Sequence, residues 1–265
     1  MPSGRPPRPE SARRLRRRPA TDFHTAGQAD PAPAGPHATA LRIRPYRPGD
    51  RAAVRRICFE TGYMGSPPPY WPHEASFADV FAGYYTDREP ESLFVAELRG
   101  RVVGYLTGCV DSRHATPVAR AMLRAALRHG LPLRRGTAGF LARALADFLR
   151  TPDAARDPFR NPRWPSHLHI NLLPEARGLG GGRALMEAWL ARLRELGSPG
   201  CHLGTLFENH RAIGFFERMG FRRLGPPRPV PGLRAPDGSR HHEQILVRDL
   251  REAPQAPGEE GGGDP

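Results

Sequence analysis

The chain contains no lysine: all 40 of its Lys and Arg positions are arginine. A Walker loop needs Gly-Lys-Ser/Thr to hold the nucleotide phosphates, so a P-loop nucleotidase is excluded. Cysteine is scarce as well. Cys58, Cys109 and Cys201 are far apart, each in an apolar run, and neither a disulfide framework nor a zinc spacing follows from them. Buried free thiols in a reducing compartment are expected. No apolar run reaches membrane-spanning length, and the basic N-terminal stretch has no apolar segment of the secretory kind. A cytoplasmic protein without a membrane-spanning helix is therefore expected.

What is abundant is positive charge, with a net +13 at neutral pH over 265 residues. The excess is spread along the chain and forms no single stripe, so nucleic acid is not the expected partner. The densest cluster, Arg13, Arg14, Arg16, Arg17 and Arg18, sits in a Pro/Arg/Ala/Gly-rich stretch. Residues 1–40 and 251–265 lack periodic apolar positions and read as disordered tails. One domain over residues 41–250 remains, long enough to bury a core.

The most informative stretch is His167 to Gly197, an apolar run, a glycine turn and then apolar residues at helical spacing. Arg177, Gly178, Leu179, Gly180, Gly181, Gly182 and Arg183 form the turn. Glycines let backbone N–H groups converge, and the helix that follows adds the positive end of its dipole, so the turn reads as an anion cradle. Arg177 and Arg183 could add charge-assisted bonds to phosphate oxygens. A dinucleotide fold is disfavoured, because Gly178, Gly180 and Arg183 miss the G-x-G-x-x-G spacing.

Pro174 followed by R-G-x-G-x-G-R-A-L, with Asn209, Ala212, Phe215, Phe216, Gly220 and Phe221 later in the chain, resembles the two signature segments of the GCN5-related N-acetyltransferase (GNAT) family. That resemblance implies an α/β (α+β) fold, a mixed and mostly antiparallel sheet of six or seven strands flanked by helices. It also implies acetyl-CoA as cosubstrate and an amine as acceptor, in a monomer or homodimer. Position by position, the thioester arm falls to the backbone of Ile170, Asn171 and Leu172 and the pyrophosphate to Gly178–Arg183. Asn209 and Phe216 fall beside the cofactor. The phrase WPSHLHINLLPE, with the preceding insert, is similar to bacterial acetyltransferases akin to the acetyltransferase-like domain joined to O-GlcNAcase.

Around this centre, Leu41–Arg47 reads as a strand and Asp50 as the cap of a helix with Val54, Ile57 and Cys58 inward. Tyr63, Tyr70 and Trp71 sit in a proline-rich loop, which in the family borders the acceptor pocket. Phe77 to Tyr85 reads as one helix, and Arg99-Gly100 joins a hairpin punctuated by Gly104 and Gly108. Residues 111–165 form a helical insert with stripes at Met122, Leu123, Ala126, Leu127 and at Phe140, Leu141, Leu145, Phe148, Leu149. The insert fits a lid, an acceptor wall or an oligomer contact. A proline-rich bend then leads to a last strand, His242–Val247.

Proton handling departs from the family pattern. The tyrosine that commonly protonates the departing thiolate is Phe216, and the glutamate that some members carry on the fifth strand is Gly204. His167 and His169 share one strand face and are the candidate bases; Glu208, beside Asn209, and Glu97, at a strand end, are the alternative carboxylates, each also placed to be a surface or capping group. Two histidines with no third ligand at recognisable spacing do not point to a metal. The resemblance therefore implies an amine acetyltransferase, with a CoA-binding module of little or no catalytic activity as the alternative.

Overall fold

A computed structural model of the chain describes residues 41–134, 136–150 and 161–251. The expected tails, with the Arg13–Arg18 cluster, lie outside the described residues, as does the stretch 151–160. Among the described residues seven strands run β1 Arg42–Pro45, β2 Leu93–Leu98, β3 Arg101–Cys109, β4 Ser166–Leu172, β5 Gly200–Leu206, β6 Arg222–Arg234 and β7 Arg240–Asp249. They form one sheet in the order β1-β2-β3-β4-β5-β7-β6. Every neighbouring pair is antiparallel except β4–β5.

Among the described residues seven α-helices flank the sheet: α1 Arg51–Glu60, α2 Glu74–Phe81, α3 Gly83–Arg88, α4 Val118–His129, α5 Thr137–Arg150, α6 Gly181–Glu195 and α7 His210–Arg218. Helix α6 packs on one face through Leu185, Met186, Trp189, Leu190 and Leu193, all buried. Two β3 glycines make this approach possible. A Cβ on Gly108 would overlap the Trp189 ring, and one on Gly104 would lie 3.0 Å from the Asn171 carbonyl oxygen. Helix α1 covers the opposite face with buried Val54, Ile57 and Cys58. All three cysteines are free and buried, and burial pushes the Cys58 thiol up to about 11.

Several sequence-based expectations are corrected. Asp50 closes a 3-10 turn instead of capping α1 with its side chain. Its carboxylate accepts Arg44 Nη1 and Nη2 at 2.7 and 2.9 Å and Arg47 N–H at 2.8 Å. Arg44 also donates through Nε to Glu97 at 2.7 Å, which commits that carboxylate to fastening β1. Phe77–Tyr85 is two short helices, broken at Ala82 where φ falls to −122°.

The proline-rich bend is instead strand β6. Its position at the sheet edge removes the need for a ladder N–H at each proline, and its register shifts twice against β7. Most of the expected insert stripe faces outward: Leu123, Leu127, Leu145, Phe148 and Leu149 are exposed, while Ala125 and Phe140 are buried. Helix α5 is held instead by Asp147, which accepts Gly232 N–H at 2.9 Å and Arg234 Nη2 at 2.6 Å from β6.

Candidate active site

Strands β4 and β5 are registered only at Ser166↔Cys201 and His167↔His202. Beyond that, β4 stays with β3 down to Gly104↔Leu172, while β5 stays with β7 up to Leu206↔Glu243. The sheet therefore splits into a wedge. Leu173 N–H donates to Val103 C=O at 2.8 Å, so strand alternation turns the N–H and C=O of Ile170 and Leu172 away from β3, into the wedge. A hydrogen-bonding backbone edge without a strand partner lines its β4 side.

At the open end of β4 the chain passes through a short 3-10 turn, Pro174–Ala176, and the glycine turn into α6. Gly178 and Gly180 have φ of +79° and +77°, a region costly to other residues, and a Cβ on either would meet open space. Gly181 packs against Leu41 and Leu172, and Gly182 against Phe215. The first bond into the helix is Ala184 N–H to Gly180 C=O, 3.0 Å. The N–H groups of Gly180, Gly181, Gly182 and Arg183 precede it, as orphan donors at the positive end of a 15-residue helix. Leu179 is exposed beside them. The flanking arginines are turned elsewhere: Arg177 Nη2 donates to Gly65 C=O at 3.1 Å, and Arg183 Nε to Glu187 at 2.7 Å on the exposed helix surface.

The odd-numbered residues of β4 look toward the α1–α3 face. Asn171 Nδ2 donates to Thr61 Oγ1 at 2.6 Å. His167 is enclosed, with Tyr85 Oη 2.7 Å from Nε2 and Ser112 Oγ 2.7 Å from Nδ1. Ser112 spends its own proton on Pro165 C=O at 2.7 Å. Nδ1 must therefore carry the imidazole hydrogen, and Nε2 accepts from Tyr85. Burial, with His169 and His202 nearby, holds His167 well below the usual histidine range. Both of its nitrogens are thus engaged within the protein.

His169 is different. Its ring stands 5.5 Å from that of Tyr85 and is exposed, yet desolvation by the surrounding protein lowers its pKa to about 4. The two properties fit a ring at the bottom of a cleft, wet on one side and enclosed on the others. It is neutral near pH 7.

Across the wedge, Gly204 is the next residue beyond His202 on the same face, as His169 is beyond His167. A Cβ on Gly204 would overlap the carboxylate of Glu243 and lie 2.8 Å from its Cδ. Glu243 belongs to β7, and its register opposite Leu206 puts it on the face that Gly204 shares. The carboxylate absent from β5 is thus present on the β5 lip, delivered by the next strand.

Asn209 caps α7, its Oδ1 accepting Ala212 N–H at 3.2 Å. Phe216 is buried against Phe215 and Phe221. Sequence reasoning placed Tyr63 in the loop beside the acceptor pocket and Tyr85 on an apolar helix stripe without giving either a polar role, and it missed Ser112, His241 and Glu243. The polar run His241-His242-Glu243-Gln244 was the available signal, because strand parity puts His241 and Glu243 on one face. Among the described residues, no three His, Cys, Asp or Glu are grouped to hold a metal ion, and no helix is long and apolar enough to cross a membrane.

Comparison with known proteins gives a consistent result. The Acetyltransferase (GNAT) family profile matches residues 59–221. The crystal structure of SsHAT superposes with a TM-score of 0.60 at 31% identity, covering 80% of this chain and 100% of that one. The structure of yncA from Salmonella typhimurium with its cofactor acetyl-CoA gives a TM-score of 0.52, covering 83% and 99%. At 16% identity, that likeness is one of fold. Mycothiol acetyltransferase of Cellulomonas flavigena is 39% identical over 96 residues, 34% of this chain, and the match spans 25% of that relative's length.

Proposed function

The chain belongs to the GNAT acetyltransferase family, and from that premise we propose that it transfers an acetyl group from acetyl-CoA to a primary amine by direct attack while both substrates are bound. The observation that carries this reading is the junction of the β4–β5 wedge with the orphan amides of α6. A diphosphate would rest on the N–H groups of Gly180–Arg183, where Gly178 and Gly180 leave room for it. The pantetheine arm, with its amides, would pair with the free backbone of Ile170 and Leu172. Acetyl-CoA supplies an activated acyl group and a thiolate leaving group; the protein supplies alignment and proton handling.

The acceptor amine is received on the α1–α3 face, between His169 on the β4 lip and the Glu243 carboxylate on the β5 lip. Either group can take the proton that an ammonium must lose before it attacks, and Glu243 adds charge attraction for the cation. His167 orients this lip through Tyr85 and Ser112 and does not itself exchange protons. Helix α5 forms an outer wall: Phe140 packs 4.9 Å from Tyr70 and 5.8 Å from Trp71, which fixes the aromatic loop. Asn209 and Phe216 shape the far side, and the reaction belongs in the cytoplasm, where acetyl-CoA is made available.

The test is thiol release from acetyl-CoA over a panel of polyamines, arylalkylamines, amino sugars and amino acids. Steady release with at least one amine class is expected. Tight acetyl-CoA binding without release for any class would favour the non-catalytic CoA-binding module, for which the loss of a hydroxyl at Phe216 is the motivating feature.

A further inference from the structure

The segment after α1 crosses the wedge. Thr61 is fastened to Asn171 on β4, and Gly65 to Arg177 just beyond β4. Between them Tyr63 reaches to the other side, its Oη 2.7 Å from Nε2 of His241 on β7. A tight turn sets this reach. Tyr63 and Ser66 exchange backbone bonds at 2.8 and 3.0 Å, with Met64 and Gly65 both at positive φ, 50° and 93°, as a type I′ turn requires.

His241 is 4% exposed. Its Nδ1 lies 3.1 Å from Glu208 Oε2, within reach of a hydrogen bond although out of line for one in this conformation. Glu208 is fixed from its other side by His242 N–H at 3.1 Å and is partly open to solvent. Burial alone would raise its pKa, but hydrogen bonds from the backbone and from His242, with the His241 imidazole close by, outweigh that and keep it ionised. A phenol, a buried imidazole and an ionised carboxylate thus run in series from the wedge to water, and His242 and Glu243 are the other titratable groups that β7 adds beside them.

Resting on the acetyl-transfer reading, we propose that Tyr63 is a catalytic proton carrier for this reaction, with His241 and Glu208 as the residues that position and recharge it. In the resting state Glu208 favours the tautomer with hydrogen on Nδ1, so Tyr63 donates to Nε2 and turns its oxygen lone pairs toward the wedge. The ammonium first loses one proton to water by way of His169 or Glu243. As the new C–N bond forms, the nitrogen gives a second proton to the Tyr63 oxygen, and the Tyr63 proton moves to Nε2. Glu208 stabilises the resulting imidazolium. As the C–S bond breaks, the transfer reverses and Tyr63 delivers the proton to sulfur. The relay ends as it began, the products are amide and free thiol, and the net release is one proton. The proton that Phe216 cannot supply comes from the opposite side of the wedge.

The test measures thiol release from acetyl-CoA, with the amine panel above, for the intact chain and for Tyr63→Phe, together with acetyl-CoA affinity. Loss of the hydroxyl should lower kcat about 100-fold or more, with affinity for acetyl-CoA within twofold. Glu208→Gln should lower kcat less and move the acid limb of its pH profile, an effect that a merely structural role would not produce. Placing 3,5-difluorotyrosine at position 63 keeps the packing and lowers the phenol pKa, and it should shift the same profile toward acid. If Tyr63→Phe turns over like the parent chain, or the fluorinated protein keeps the parent profile, the relay is overturned while acetyl transfer stands. If the parent chain itself releases no thiol with any amine, the acetyl-transfer reading falls and the relay falls with it.

Discussion

Replacing Gly180 by alanine separates the two things that this glycine does. At φ of +77° an alanine pays the left-handed penalty of roughly 1–2 kcal/mol, and because a Cβ there meets nothing within 4 Å, no clash adds to it. For a domain of this size such a loss lowers Tm by about 2–8 °C. If the strain is relieved by rotating the peptide, the amides at the start of α6 no longer converge. One lost hydrogen bond to a charged phosphate is then about 1.5–3 kcal/mol, or roughly 10- to 100-fold in acetyl-CoA affinity. Asparagine tolerates the left-handed region better, so Gly180→Asn should recover most of both losses. Calorimetric titration with acetyl-CoA and thermal unfolding, run on both variants, read the two effects separately. Wild-type affinity in a Gly180→Ala protein whose Tm stays near the parent's, the sign that the peptide has rotated to relieve the strain, would show that these amides are not the phosphate grip.

Other perturbations follow from the same geometry. Glu243→Gln should lower kcat for cationic amines by about 100-fold or more and leave acetyl-CoA affinity intact, and Gly204→Ala should act in the same direction by displacing that carboxylate; unchanged kinetics in both would remove Glu243 from the acceptor site. His167 is neutral when folded and has an ordinary pKa near 6.5 when unfolded. The unfolded chain therefore binds the extra proton below that pH, so the stability it contributes is complete above about pH 6.5 and falls with acid, by at most about 1.4 kcal/mol per pH unit. Chemical denaturation of His167→Asn from pH 7 to pH 5 should show a flatter acid limb than the parent, and an identical slope would contradict the assignment. Asp50→Ala strips a nearly buried Arg44 of its two-pronged partner and should cost about 3 kcal/mol, seen as a lower denaturation midpoint; a loss under about 1 kcal/mol would mean that the pair is solvated like a surface ion pair.

Much of this site is legible in the sequence, because its central features are backbone features that announce themselves through glycine. Gly178 and Gly180 lie where positive φ is required, and the apolar spacing after Gly181 sets the start of α6. The hairpin at Arg99-Gly100 was legible for the same reason. What the sequence concealed depends on pairing between distant strands. Nothing local to Gly204 says that Glu243 will lie over it, since that follows from the β5–β7 register.

Likewise, the equivalence suggested by His167 and His169 on one strand face is broken only by Tyr85 and Ser112, which arrive from 82 and 55 residues away. Proline misled the reading of residues 222–234, because its cost in a strand depends on whether the strand is central or at an edge. The insert stripes announced two helices and included Phe140, but tertiary contacts decided which residues of α4 and α5 are buried, Ala125, Phe140 and Asp147 among them.

The central claim is that the amides opening α6 hold the diphosphate of a thioester carrier. Calorimetric titration of the intact chain with acetyl-CoA, against the same titration with S-acetylpantetheine, which carries the thioester arm but no diphosphate, tests it most directly. Acetyl-CoA should bind at micromolar concentrations, and the truncated thioester roughly 100-fold more weakly or worse, the loss expected from removing several charge-assisted hydrogen bonds. Equal affinity for the two compounds, or no heat with either, would contradict the account.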